Sequence, residues 1–81
     1  MYFIRAIAPM KDHRLFMAME SGSCVIVDLS DKLHTMKYGD LADDALFRSV
    51  ETDGDYIIWG RRVRVTVKEL MELVLYGADM A

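Results

Sequence analysis

Two histidines, a single cysteine and a scatter of carboxylates are the side chains of this 81-residue sequence from which catalysis or metal binding could start. His13 and His34 each lie in a polar connection, with no cysteine or carboxylate at metal-ligand spacing, so both read as surface residues. Cys24 would need a nearby base and a lowered pKa to act as a nucleophile; on an inward strand face it reads as a small core residue. Asp53-Gly54-Asp55 with Glu51 forms a fragment of a calcium loop, but the rest of the ligand ladder and its closing glutamate are missing, which leaves a hairpin turn. Arg61, Arg62 and Arg64 make a basic cluster that could hold phosphate or an acidic partner; alternation with valine is equally the pattern of a solvated edge strand. No Ser-His-Asp order, phosphate loop or pair of catalytic carboxylates occurs, so no catalytic, cofactor-binding or metal-ligating residue is assigned.

The elements that would position any site must fit into one small domain. A chain of this length buries only about 60% of its unfolded surface, which leaves no room for a second domain or a deep cofactor cleft. Residues 1–81 are therefore expected to form one domain, ordered over about 2–77 with a frayed tail at 78–81. Thirteen acidic against ten basic residues give a net charge of -3, and nonspecific binding to nucleic acid or acidic membranes normally needs the opposite sign. The lone cysteine cannot form an intramolecular disulfide, and neither a secretory signal nor an apolar run of membrane-spanning length is visible, so the expected location is the cytoplasm.

Hydrophobic residues make up 53% of the chain, and their spacing defines the elements. Tyr2 to Ala8 reads as a strand stopped by Pro9, and Leu15 to Met19 and Cys24 to Asp28 as a hairpin around Ser21-Gly22. A two-residue loop there would place Leu15, Met17, Met19, Cys24 and Ile26 on the core face and Phe16, Ala18, Val25 and Val27 on the opposite one. Leu29 to Tyr38 has no clean period. Asp40 is expected to cap a short helix to about Phe47, with Leu41 and Ala45 facing inward. A second hairpin turns at Asp53-Gly54 and pairs Val50 with Ile57, and Gly60-Arg61-Arg62 should form a three-residue loop into a last strand. Trp59 reads as a core anchor. Thr66-Val67-Lys68-Glu69 is a capping box opening a helix with Val67, Leu70, Met71, Val74 and Leu75 on its inner stripe, ended by Gly77. The fold class is α+β: an antiparallel sheet of about five to six strands in the order β-β-β-α-β-β-β-α, with helices packed on one face.

The series Leu15-x-Met17-x-Met19-x-x-Gly22, Val27-Asp28-Leu29, Leu41, Phe47, Val50, Ile57-x-Trp59 and Val65-x-x-x-x-Leu70 resembles the small bacterial family called domain of unknown function twenty-four forty-two, over about residues 3–75. These are mainly core and turn positions, so the resemblance bears on fold more than on chemistry. It implies an antiparallel α+β domain in proteins that stand alone or precede a helix-turn-helix domain and belong to two-gene toxin–antitoxin-like units. It carries over no catalytic residue. The sequence departs from the family pattern at Arg64, where aspartate is usual, and at Val25, where a polar residue is common. The first puts any shared polar site on that strand in doubt, and the second favours a covered outer face.

Phe16, Ala18, Val25 and Val27, joined by Tyr56 and Ile58, are too apolar for an ordinary solvated surface. The expected function is a noncatalytic interaction or regulatory module, without cofactor, that self-associates or binds another small protein through this face. The alternative is a nucleic-acid-linked regulator acting through Arg61, Arg62 and Arg64, opposed by the acidic net charge and by the lack of a helix-turn-helix.

Overall fold

The computed structural model describes residues 3–77, and only the backbone of residues 74–77. The elements follow in the order β1 (Ile4–Pro9), β2 (Arg14–Met19), β3 (Cys24–Asp28), α1 (Asp44–Arg48), β4 (Glu51–Thr52), β5 (Tyr56–Trp59), β6 (Val63–Thr66) and α2 (Val67–Gly77). This is the expected succession of strands and helices. Tyr2 and the tail at 78–81 lie outside the described residues.

The strands do not merge into the expected single sheet. They form two antiparallel three-stranded sheets, β1-β2-β3 and β4-β5-β6. A bulge between Ile4 and Ala6 bends β1 away from a straight ladder, and β4 is only two residues long. At the seam the Ile4 N–H donates to the Gly54 carbonyl at 2.9 Å. The inner faces of both sheets then share one core: Leu15, Met17 and Val27 from the first, Ile57, Trp59, Val63 and Val65 from the second. Val67 and Leu70 of α2 and Phe47 of α1 close it, together with Leu29, Tyr38 and Leu41 from the connection after β3. Each such buried side chain contributes on the order of 1.5–3 kcal/mol, which explains how so short a chain sustains the fold.

The turns show where local chemistry is decisive. Trp59 pairs with Val63 across Gly60-Arg61-Arg62, the predicted three-residue loop, with Gly60 at φ +58°. The capping box is present: the Glu69 N–H donates to Thr66 Oγ1 at 3.0 Å and the Thr66 N–H to Glu69 Oε1 at 3.2 Å. The cap of α1 is Asp43 rather than Asp40, because the Asp43 carboxylate accepts the Ala45 N–H at 3.0 Å while residues Gly39–Ala42 form a separate 3-10 turn. That shift leaves Ala45 exposed instead of inward, whereas Leu41 is buried as expected and Phe47 is buried beside it in the core.

The second hairpin pairs Thr52 with Ile57, two residues removed from the expected register, because Asp53 builds a longer loop. Its Oδ1 accepts the Tyr56 N–H at 2.9 Å and the Asp55 N–H at 3.0 Å. Gly54 sits in this loop at φ +106°, and a Cβ there would lie 2.2 Å from the Phe3 ring. Gly54→Ala is therefore expected to destabilise by about 1–2 kcal/mol from the backbone alone. In a thermal melt this would lower the midpoint by roughly 4–16 °C, at about 4–8 °C per kcal/mol.

Candidate interaction surface

The β2–β3 hairpin decides which side chains reach the surface. Its loop is not the expected two-residue turn. The Met19 N–H donates to the Ser23 carbonyl at 2.8 Å and the Gly22 N–H to the Met19 carbonyl at 3.0 Å, so Glu20-Ser21-Gly22 is a three-residue loop closed by Gly22 at φ +97°. The resulting pairs are Leu15 with Val27, Phe16 with Ile26, Met17 with Val25 and Ala18 with Cys24. A slip of one residue turns a strand over. Val25 and Val27, expected outside, face the core, and Val27 is only 2% exposed. Cys24 and Ile26, expected inside, are on the surface, with Ile26 at 55% exposure.

The outer face of the first sheet is nevertheless apolar. Ala6 and Ala8 of β1 pair with Ala18 and Phe16 of β2, which pair in turn with Cys24 and Ile26 of β3. Six positions on three adjacent strands thus carry no charge. An Arg14–Asp28 ion pair at 3.8 Å marks one end of the face. Sequence reasoning missed Ala6, Ala8, Cys24 and Ile26, although one signal was available: Asp28 shares the face of Cys24 and Ile26, and a buried carboxylate without a partner would be costly.

Tyr56 and Ile58, expected on this same face, lie on the second sheet. Both are half-buried on its outer side, where Ile58 stands between Glu51 and Arg64, and the Arg64 guanidinium lies 4.1 Å from the centre of the Tyr56 ring. The basic cluster is also dispersed among local roles. Arg61 and Arg62 are exposed in the β5–β6 loop, Arg62 approaches Asp40 at 3.9 Å, and Arg64 sits on edge strand β6. No single phosphate-sized site gathers the three guanidinium groups.

His34 is exposed as expected, but His13 is not a simple surface residue. Asp12 and His13 both adopt left-handed backbone angles, φ +60° and +59°, which turn the chain from β1 into β2. The half-buried imidazole lies 5.1 Å from the Phe47 ring, which stacks 6.3 Å from Trp59. Among the described residues, His13 Nε2 and Trp59 Nε1 are buried and meet no hydrogen-bond partner. This is an aromatic column with no nucleophile or carboxylate in it. Among the described residues no group of three or more histidine, cysteine or acidic side chains could hold a metal ion.

Three exposed carboxylates are stabilised in their charged form. Asp28 caps the turn after β3: the Ser30 hydroxyl donates to it at 2.7 Å and the Ser30 N–H at 2.9 Å, holding its carboxyl below the usual range. The Tyr56 and Asp55 N–H groups do the same for Asp53. The Lys37 ammonium, followed by the Thr66 N–H, lowers Glu69. A carboxylate whose pKa is depressed by folding stabilises the native state above its unfolded pKa, and this contribution disappears as pH falls through the lowered value. The melting temperature should therefore fall on acidification below the usual carboxylate range, by a small amount because all three groups are solvent-exposed. Glu69→Gln should melt lower at neutral pH and lose less on acidification.

Among the described residues no helix is long and apolar enough to cross a membrane. No family model, curated protein or solved structure matches the chain.

Proposed function

We propose that the protein is a noncatalytic interaction module that meets a second copy of itself or another small protein through the outer face of its first sheet. The observation that carries this reading is the uncharged face built from Ala6, Ala8, Phe16, Ala18, Cys24 and Ile26. A sheet with one face in the core ordinarily shows polar residues on the other. Ala18 is buried, but the exposed Ala6 and Ala8 permit close approach of a partner's backbone or side chains, while the exposed Ile26 and the half-buried Phe16 supply apolar area to anchor it. The family resemblance gives such a surface a regulatory setting: one member of a two-gene toxin–antitoxin-like pair, held to its partner by this face. A cytoplasmic location accords with that setting and with the free thiol of Cys24.

The nucleic-acid reading loses support, because Arg62 and Arg64 are each engaged within the fold and the net charge is -3. The discriminating variant is Phe16→Asp. It should keep the wild-type melting temperature within a few degrees yet lose association, read as light-scattering mass and as co-purification of a defined partner protein. A wild-type chain that stays at 9.3 kDa alone, and whose co-purifying proteins are unchanged by Phe16→Asp, would overturn the reading.

A further inference from the structure

Asp53 is the one aspartate of this chain that glycine follows, and the chain contains no asparagine. An aspartyl–glycyl bond rearranges spontaneously when the glycine nitrogen, unhindered by a side chain of its own, reaches the aspartate Cγ. The two reacting groups sit here in contrasting places: the Asp53 side chain is exposed, whereas Gly54 is buried. The fold occupies both. The Gly54 N–H donates to Thr52 Oγ1 at 3.0 Å. Asp53 Oδ1 accepts the Tyr56 N–H at 2.9 Å and the Asp55 N–H at 3.0 Å, which hold the carboxyl in its charged form, a poor electrophile.

Gly54 is held in place by the seam between the sheets. Its carbonyl accepts the Ile4 N–H at 2.9 Å, and the Phe3 ring fills the space where a Cβ would stand. Phe3 itself is 41% exposed, so the cover over Gly54 is one ring with water on its other side. Lifting that ring and breaking the Ile4 bond is a local opening, which costs less than unfolding the whole domain. It uncovers the Gly54 amide and loosens the loop that holds the Asp53 carboxylate.

We propose that Asp53-Gly54 is a site of spontaneous isoaspartate formation, gated by the seam between the two sheets, and that the rearrangement, once made, keeps the seam open. In the first step the Gly54 nitrogen gives its proton to a solvent base and bonds to Cγ of the protonated Asp53 carboxyl. The carboxyl hydroxyl leaves with that proton as water, and a succinimide ring closes. In the second step water adds to one ring carbonyl. Breaking the bond from nitrogen to Cγ restores aspartate; breaking the bond from nitrogen to the Asp53 main-chain carbonyl carbon leaves the chain running through Cβ and Cγ. The water lost is regained, and no oxidant or reductant is needed. The isoaspartate adds one methylene to the main chain and turns the carboxylate that accepted the Tyr56 and Asp55 N–H groups into a main-chain amide. The Gly54 carbonyl is thereby displaced from the Ile4 N–H.

The test ages the full chain at neutral pH and physiological temperature and counts isoaspartate at position 53 by enzymatic methylation and peptide mapping. The folded wild type should accumulate it more slowly than the same chain unfolded in guanidinium chloride by about tenfold or more, the factor for a gating step of about 1.4 kcal/mol. Phe3→Ala, which uncovers Gly54, and Thr52→Val, which frees its N–H, should each raise the folded rate several-fold. Asp53→Glu, whose longer side chain closes no five-membered ring, should form none. In the isomerised chain, separated by chromatography, the Ile4 amide should lose its protection against hydrogen exchange. A folded wild type that rearranges as fast as the unfolded chain would overturn the gating, as would an unchanged rate in Phe3→Ala and Thr52→Val. An isomerised chain with full protection at Ile4 would overturn the lasting opening of the seam.

Discussion

Val27→Glu is expected to leave the domain unfolded at room temperature, whereas Ile26→Glu, one residue away, should melt within a few degrees of wild type. Val27 is 2% exposed and packs with Leu15, Met17 and Leu29; Ile26 is 55% exposed on the other side of the same strand. A carboxylate forced into the core without a partner costs several kcal/mol, by desolvation or by the work of staying neutral. The whole stability of a domain this size is only about 4–12 kcal/mol, at roughly 0.05–0.15 kcal/mol per residue. Far-UV circular dichroism melts of the two variants decide the matter. An unfolded Ile26→Glu beside a folded Val27→Glu would show that β3 has the opposite face in the core.

Trp59→Ala should be the most damaging large-to-small substitution, at about 3–5 kcal/mol in urea denaturation. Its indole is fully buried, stacks 6.3 Å from Phe47 and contacts the core from the middle of the second sheet. The accompanying Trp59→Phe is the more informative variant. The indole N–H is buried with no partner among the described residues, so removing it relieves an unmet hydrogen bond while much of the apolar volume remains. Trp59→Phe should therefore cost less than half as much as Trp59→Ala. Equal losses would mean that the N–H is satisfied in solution.

The two hairpins explain why some of this architecture was legible in the sequence and some was not. Around Asp53-Gly54 the expected register was off by two residues, and because side chains alternate with period two, Ile57 and Trp59 still faced the core as anticipated. Around Ser21-Gly22 it was off by one, which exchanged Val25 and Val27 for Cys24 and Ile26 on the outer face. Both faces of β3 are apolar, so hydrophobic pattern alone could not choose between them. The deciding information lay in the loop: a type I′ turn needs positive φ at both central positions, which serine resists, whereas glycine at the third position suits the three-residue loop observed.

Local signals with a single chemical solution were readable. The Thr66–Glu69 capping box and the Gly60-Arg61-Arg62 loop appear as expected. The division into two sheets was not legible, because it depends on the bulge near Arg5 and on the Ile4–Gly54 bond, neither of which leaves a pattern in the sequence. That division separates Tyr56 and Ile58 from Phe16 and Ala18. The stacked setting of His13 was hidden for the same reason, since its contact with Phe47 joins segments far apart in the chain.

The measurement that bears most directly on the account is site-specific photo-cross-linking in cells that make the protein, with a photoreactive phenylalanine analogue placed at position 26 in one version and at position 58 in another. Both positions sit on outer sheet faces, but only the first belongs to the uncharged face of the first sheet. Position 26 should give a discrete adduct of fixed mass, lost when Phe16→Asp is added, and position 58 should give none. No adduct from position 26 alongside a strong one from position 58 would contradict the account, because the partner would then sit on the second sheet.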